Sequence, residues 1–303
     1  MPQPTARDWL SIVTLGVIWG ATFMVVTLAL EGYGPVTVAC ARTAIGALVL
    51  SVIAKAAGSR ALPRPERRLM AHIVAIGILS TALPFFLLSW GQQSVPSAFA
   101  GLSMAAVPLF VLPLAHFAVA GEALTRRKAV GFLIGFVGTA ILIGPDALRG
   151  DAATLPRLAC IGAALCYAVS SVIVRRCPPI DPLTLAASSL IVGSAVMIPA
   201  MLMTEGVPQP AAPRTMIAIL VLGAVPTAFA TLLRISVIRS AGPSFLTLVN
   251  YQVPPWSLAF GALVLGEALP GRFFAALALI LAGLAISQAA RRDRIVSAKR
   301  SNR

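Results

Sequence analysis

Gly121-Glu122-Ala123-Leu124 returns 145 residues later as Gly266-Glu267-Ala268-Leu269, in a chain of 303 residues. An offset close to half the length reads as a duplication. Weaker echoes agree: Gly77, Thr81 and Ala82 match Gly223, Thr227 and Ala228, Pro35 matches Pro182, and Trp19 falls opposite Tyr167. The offset drifts by single residues between these pairs, as expected where length changes sit in loops. The chain therefore reads as two copies of one design.

Hydrophobic residues make up 58% of the chain and charged ones 11%, whereas about a quarter of the residues in an ordinary soluble domain are charged. That balance predicts an integral membrane protein whose first partner is the lipid bilayer. The net charge of +14 does not call for nucleic acid, because its Lys and Arg residues fall in the short breaks between apolar runs. Cys40, Cys160, Cys166 and Cys177 form no CxxC pair. They read as small buried apolar side chains, so neither a metal site nor a disulfide is expected, and no cofactor. The first apolar run, Leu10 to Leu30, is longer than a signal-peptide core and lacks a cleavage-like ending, so it is expected to stay as a helix.

Apolar runs long enough for a bilayer core of about 30 Å follow one another. The expected spans are Leu10 to Leu30, Pro35 to Ala54, Leu69 to Gly91, Ala98 to Ala120 and Ala129 to Ile143, then Leu158 to Val174, Leu183 to Thr204, Met216 to Ile238, Phe245 to Leu265 and Phe273 to Ala290. The fifth and sixth are short, so they sit in thinned bilayer or extend into flanking polar residues. This gives an all-α fold of ten transmembrane helices, five per repeat. Residues 5–143 form the first repeat, 144–156 a linker, 157–290 the second repeat and 291–303 a basic tail.

Lys and Arg set the orientation. One side collects Arg7, Lys55 to Arg68, Arg126 to Lys128, Arg175, Arg176, Arg239 and the basic tail, while the other holds only Arg149, Arg157, Arg214 and Arg272. Both termini are thus expected in the cytoplasm. With an odd number of helices per repeat, the second copy must enter from the opposite face. Inverted repeats are a recurrent plan of secondary transporters, whose substrate site lies near the midplane where the repeats meet.

Membrane-embedded ionisable residues are then informative. No Asp or Glu lies at the centre of a span. Arg42 lies within the second span, where an arginine costs about 2.5–3.5 kcal/mol. Two readings stand for it: an anchor for an anion or carboxylate, or a structural pairing with backbone carbonyls. Arg234, near the cytoplasmic end of the eighth span, reads as snorkelling. His116 in the fourth span reads as packed and neutral, with a proton-carrying role as the alternative. Glu122 and Glu267 each follow a glycine that can end one helix, so the carboxylate is expected to meet the positive N-terminus of the next. A gating or proton-linked role for the pair is the alternative.

Pro84, Pro108, Pro113, Pro199, Pro226, Pro254 and Pro255 fall inside spans, where each frees a carbonyl and bends its helix. The kinked fourth and ninth spans carry Ser103 and Asn250, Tyr251 and Gln252. With Trp19, Thr22, Trp90, Tyr167, Ser170 and Ser171 these groups suit an amphipathic organic solute better than a bare ion. Taken singly, each equally fits an interhelical hydrogen bond or an interfacial aromatic. Gly16 with Gly20, and Gly131 with Gly135, read as close helix contacts within one bundle rather than dimer faces.

Together these features resemble the EamA family of the drug/metabolite transporter superfamily. The resemblance rests on the ten spans in two repeats, Trp19-Gly20-Ala21-Thr22-Phe23 in the first, Arg42 in the second, and the Gly-Glu pairs at Glu122 and Glu267. It implies a bacterial inner-membrane exporter of amino acids or other small metabolites, with a central cavity lined by the first, third, fourth, sixth, eighth and ninth helices. The second repeat departs from the pattern, with Tyr167-Ala168 for Trp-Gly and Ser189 where symmetry would place a twin of Arg42. The expected protein is a monomeric secondary transporter working by alternating access. A carrier of cationic drugs or nucleosides is the alternative within the same fold. A membrane-embedded enzyme is more distant, because His, Asp and Glu sit singly and mostly in loops.

Overall fold

The computed structural model describes residues 4–64, 66–118, 124–144, 151–246 and 248–301. Among these residues the chain is helical throughout, with no strand. In order the helices are α1 (Ala6–Leu30), α2 (Pro35–Ala56), α3 (Arg67–Gly77), α4 (Leu83–Gly91), α5 (Ser97–Ser103), α6 (Val107–Ala118) and α7 (Arg126–Ile143). They continue as α8 (Thr154–Arg176), α9 (Pro182–Thr204), α10 (Pro213–Leu222), α11 (Ala230–Ala241), α12 (Pro243–Leu246), α13 (Val249–Leu265) and α14 (Gly271–Ser301). A π-helical turn, Ile78–Ala82, joins α3 to α4, and another, Gly223–Phe229, joins α10 to α11. A 3₁₀ turn, Met104–Ala106, joins α5 to α6.

Seven of the resulting helices are long and apolar enough to cross a membrane: Ala6–Leu30, Pro35–Ala56, Arg67–Gly91, Ser97–Ala118, Thr154–Arg176, Pro182–Thr204 and Pro213–Ala241. The other expected spans correspond to α7, α13 and the apolar part of α14, Gly271–Ser287. α7 has 18 residues, about 27 Å of helix at 1.5 Å per residue, which is at the lower limit for a bilayer core. The sixth span takes the second of the two expected routes and extends into its flanks. It starts at Thr154, inside the segment expected to be linker, and runs 23 residues to Arg176 by taking in its polar flanks.

Local signals start and stop these helices. Thr5 and Asp8 cap α1 reciprocally, Asp181 caps α9 through the Thr184 N–H at 2.9 Å, and prolines occupy the first positions of α2, α9 and α10. Large apolar side chains such as Leu48, Val52, Phe136, Leu202 and Leu263 point outward, as a lipid solvent requires.

The packing pairs α7 with α14 and α2 with α9, and it sets α1 against α13 and α10, and α8 against α6 and α4. Small residues permit the close approaches: Gly131 meets the backbone of Gly283, Gly138 meets that of Ala276, and Gly16 and Gly20 meet Gln252 and Trp256. These are close helix contacts, but each joins one half of the chain to the other rather than packing within one bundle. The contacts also recur by number. Gly77 lies on the Ser189 carbonyl and Val192, while Gly223 lies on the Arg42 carbonyl and Ile45. Gly46 faces Thr227, and Gly193 faces Thr81.

Candidate functional site

The two π-helical turns begin at Ile78 and Gly223, again 145 residues apart. The cause is plain in the second. Pro226 has no N–H to give the Leu222 carbonyl and its ring would strike that group, so the helix widens. The Thr227 hydroxyl takes the freed carbonyl instead, donating to Leu222 O at 2.8 Å. A wide turn of this kind exposes backbone and re-aims side chains, which is why π-bulges gather at functional sites.

Two expected site residues converge on this turn. The Trp19 indole Nε1–H donates to the Pro226 carbonyl at 3.3 Å. Arg42, 4% exposed on α2, donates from Nε to Thr227 Oγ1 at 3.4 Å and lays its guanidinium over the Phe85 ring, 3.7 Å from the centroid. A desolvated cation–π contact of this type contributes about 2 kcal/mol. Tyr167 packs beside Phe85 and Cys40 in the same cluster and lies within electrostatic reach of the guanidinium. So Trp19, Arg42 and Tyr167 come together with Phe85 and Thr227, two residues the sequence reading did not single out. Thr227 left a signal, its pairing with Thr81 across the repeat; Phe85 left none beyond its place after Pro84.

Arg42 pairs with a ring and a hydroxyl, not with backbone carbonyls. Among the described residues no carboxylate lies within 4.0 Å of it. Among the described residues neither Nη group has a protein acceptor, and neither is sealed from open space.

The remaining expected residues are placed differently. Thr22, Ser103 and Ser171 donate to carbonyls of their own helices, Ile18 at 2.9 Å, Phe99 at 2.9 Å and Ala168 at 2.7 Å. Their donors are therefore spent, and Ser103 is completely buried. Trp90 is half-buried at the end of α4, and Asn250 and Tyr251 are half-buried in the first turn of α13. His116 is exposed rather than packed. Its Nδ1 accepts from the Leu124 N–H at 3.2 Å. Glu122 lies outside the described residues.

Glu267 corrects its expected role. Gly266, at φ +66°, ends α13 in the left-handed conformation that glycine adopts freely. The Glu267 carboxylate does not meet the next helix, α14. It accepts from Ser97 N–H at 2.7 Å and Ala98 N–H at 2.9 Å, capping α5 in the other half of the chain. Gly261 makes room, since a side chain there would reach within 2.5 Å of Glu267 Oε2. Glu205 does the same for α2, accepting from Val36 N–H at 2.9 Å and Thr37 N–H at 2.8 Å. Sequence reading missed Glu205 because a capping partner 169 residues away leaves no local trace; Pro35 marks only the helix start that needs one.

The EamA-like transporter family matches this chain over residues 9–144 and again over residues 155–288. The chain belongs to that family, and it is a multi-pass membrane transporter. An uncharacterized transporter of Archaeoglobus fulgidus is 23% identical over 92% of this chain and 98% of its own length. The uncharacterized inner membrane transporter YedA of Escherichia coli is 25% identical over 89% of this chain and 87% of its own. A probable terminal-alkyne amino-acid exporter of Streptantibioticus cattleyicolor is 28% identical over 44% of this chain and 43% of its own. A solved crystal structure superposes with a TM-score of 0.67, covering 94% of this chain and 98% of that one at 22% identity. It shares the fold.

Proposed function

We propose that the protein is a secondary transporter that exports small organic metabolites such as amino acids, by alternating access of two inverted five-helix repeats. In this reading residues 5–143 and 157–290 are the repeats, ten helices cross the membrane, both termini are cytoplasmic, and the monomer is the working unit. Support for the inversion comes from the recurring contacts: helix pairs and glycine contacts repeat with the halves exchanged. The family match in two copies points the same way.

The observation that carries the functional reading is Arg42: a buried guanidinium, clamped between Phe85 and Thr227, whose Nη edge borders open space. An arginine held on one face by a ring and at Nε by a hydroxyl presents its remaining donors in a fixed fork, the geometry that recognises a carboxylate. Trp19, Tyr167 and Trp90 would supply the apolar walls, with Asn250 and Tyr251 contributing polar contacts from α13. Glu205 and Glu267 would hold one face closed by tying α2 and α5 to the opposite repeat. Asp8 with Ser240 would tie the other. A transport cycle then needs cargo that binds the two states differently.

The test is counterflow in proteoliposomes with a panel of amino acids, small carboxylates, nucleosides and cationic dyes. Wild-type protein is expected to carry a carboxylate-bearing solute, and Arg42→Ala to abolish that flux with reconstitution intact. Full flux in Arg42→Ala would reduce the residue to architecture.

A further inference from the structure

Arg42 is not the only arginine facing the interior. Arg234, on α11, has an exposed side chain, yet it lies on the same face of the helix as Ala230 and Val237, both buried in the core, so the space it borders is internal. Among the described residues it has no carboxylate within 4.0 Å and no hydrogen-bond acceptor. Its place on the helix is informative. It stands seven residues beyond Thr227, the residue of the π-helical turn that holds Arg42 Nε, so the two arginines mark the two ends of one stretch of helix about 10 Å long.

The charge balance of this interior is lopsided. Both arginines are embedded, and none of the ten acidic residues lies at the centre of a span. The ion pairs of Arg157 with Asp151, Arg214 with Glu31 and Arg239 with Asp181 involve loop or helix-end positions. Two uncompensated cations in a low-dielectric space attract an anion and repel a cation, and an arginine without a protein partner gains most from a ligand that brings the counter-charge.

We propose that the cargo carries net negative charge: a small organic anion whose carboxylate or phosphate group is held by Arg42 and passed on to Arg234. This rests on the transporter reading above and narrows its substrate class. Arg234 becomes a specificity-determining residue, and a zwitterion without further negative charge is a poorer fit than an anion of the same shape.

The experiment compares solutes that differ in charge but little in shape: N-acetylleucine (an anion), leucine (a zwitterion) and leucinamide (a cation), with glutamate and malate as further anions. Thermal unfolding of the purified protein in detergent reads binding, and counterflow in proteoliposomes reads transport. The anions are expected to stabilise the wild type and to compete with one another, leucinamide to do neither. Arg234→Gln should weaken apparent anion affinity about tenfold, the loss of one charge-assisted contact, whereas Arg234→Lys should retain most of it. An unshifted melting temperature of ligand-free Arg234→Gln shows that the variant is folded. Carriage of leucine or leucinamide in preference to the anions, or anion affinity unchanged in a folded Arg234→Gln, overturns the proposal and leaves the transporter reading standing. Absence of flux for every solute in the wider panel overturns the transporter reading itself.

Discussion

Glu267 Oε1 accepts a hydrogen bond from the backbone N–H of Ser97 at 2.7 Å, across 170 residues of sequence. With Oε2 on Ala98 N–H, one side chain satisfies two of the orphan donors at the start of α5 and places a negative charge on the helix dipole. Glu267→Ala is expected to cost about 2–3 kcal/mol, because two partly buried N–H groups lose a charged acceptor. Glu267→Gln should lose roughly half of that, since the amide keeps one acceptor oxygen. Gly261→Ala presses on the same carboxylate, so its effect should fail to add to that of Glu267→Ala. Unfolding midpoints of the three variants and the double mutant in detergent decide this.

Glu205 offers a test of gating rather than stability. In a variant lacking the four native cysteines, Thr37→Cys, at a position 4% exposed, should react slowly with a membrane-impermeant maleimide. Adding Glu205→Ala should speed the reaction by about tenfold for each ~1.4 kcal/mol of closure energy removed. Equal rates in the two backgrounds would leave Glu205 a helix cap without a part in opening.

Pro226 makes the wide turn that positions Thr227. Pro226→Ala restores an N–H and permits a regular α-helix, so the protein should be as stable as wild type or more so. Transport should nonetheless fall, because Thr227 no longer meets Arg42 Nε in the same place. A variant with normal flux and a raised melting temperature would show the bulge to be dispensable.

Asp181 gives a pH dependence. Burial pushes its pKa up, but this is outweighed by the Thr184 backbone and hydroxyl hydrogen bonds, the Ser59 hydroxyl and the Arg239 charge, and the net direction is down. A depressed carboxylate contributes stability that is fully present above the ordinary aspartate value of about 3.9 and is lost as pH falls through the lower, folded-state value. Melting temperature should therefore decline in acid below about pH 4 for the wild type. Asp181→Asn should be less stable at pH 7 and lose less on acidification.

Much of the fold was legible because lipid simplifies the code. Apolar runs such as Pro35 to Ala54 and Leu183 to Thr204 reappear as α2 and α9 within two residues at each end, since in a bilayer length and hydropathy alone force a helix. Boundaries failed where polar residues extend a helix, as at Thr154 in α8. Of the site, Trp19, Arg42 and Tyr167 were legible because an embedded charge and polar aromatics stand out in an apolar background. Ser103 and Thr22 were not distinguishable from them, because whether a hydroxyl faces a neighbour or bonds its own helix depends on rotamer and packing. His116 was misread as packed for a related reason: depth along a span does not say which way the side chain points.

By itself, the sequence determined that this chain lives in a membrane as apolar helices, that its design is repeated, and that positive charge is embedded without an acidic neighbour in sequence. Those are properties of composition and spacing, and they hold for any packing of the helices. Tertiary structure decided that Arg42 rests on Phe85 and a π-helical turn, that Glu205 and Glu267 cap helices of the opposite half, and that Arg234 shares a helix face with the buried Ala230 and Val237. Each of these joins groups far apart in the chain or depends on how neighbouring helices enclose a side chain, so its energy exists only once the helices have met.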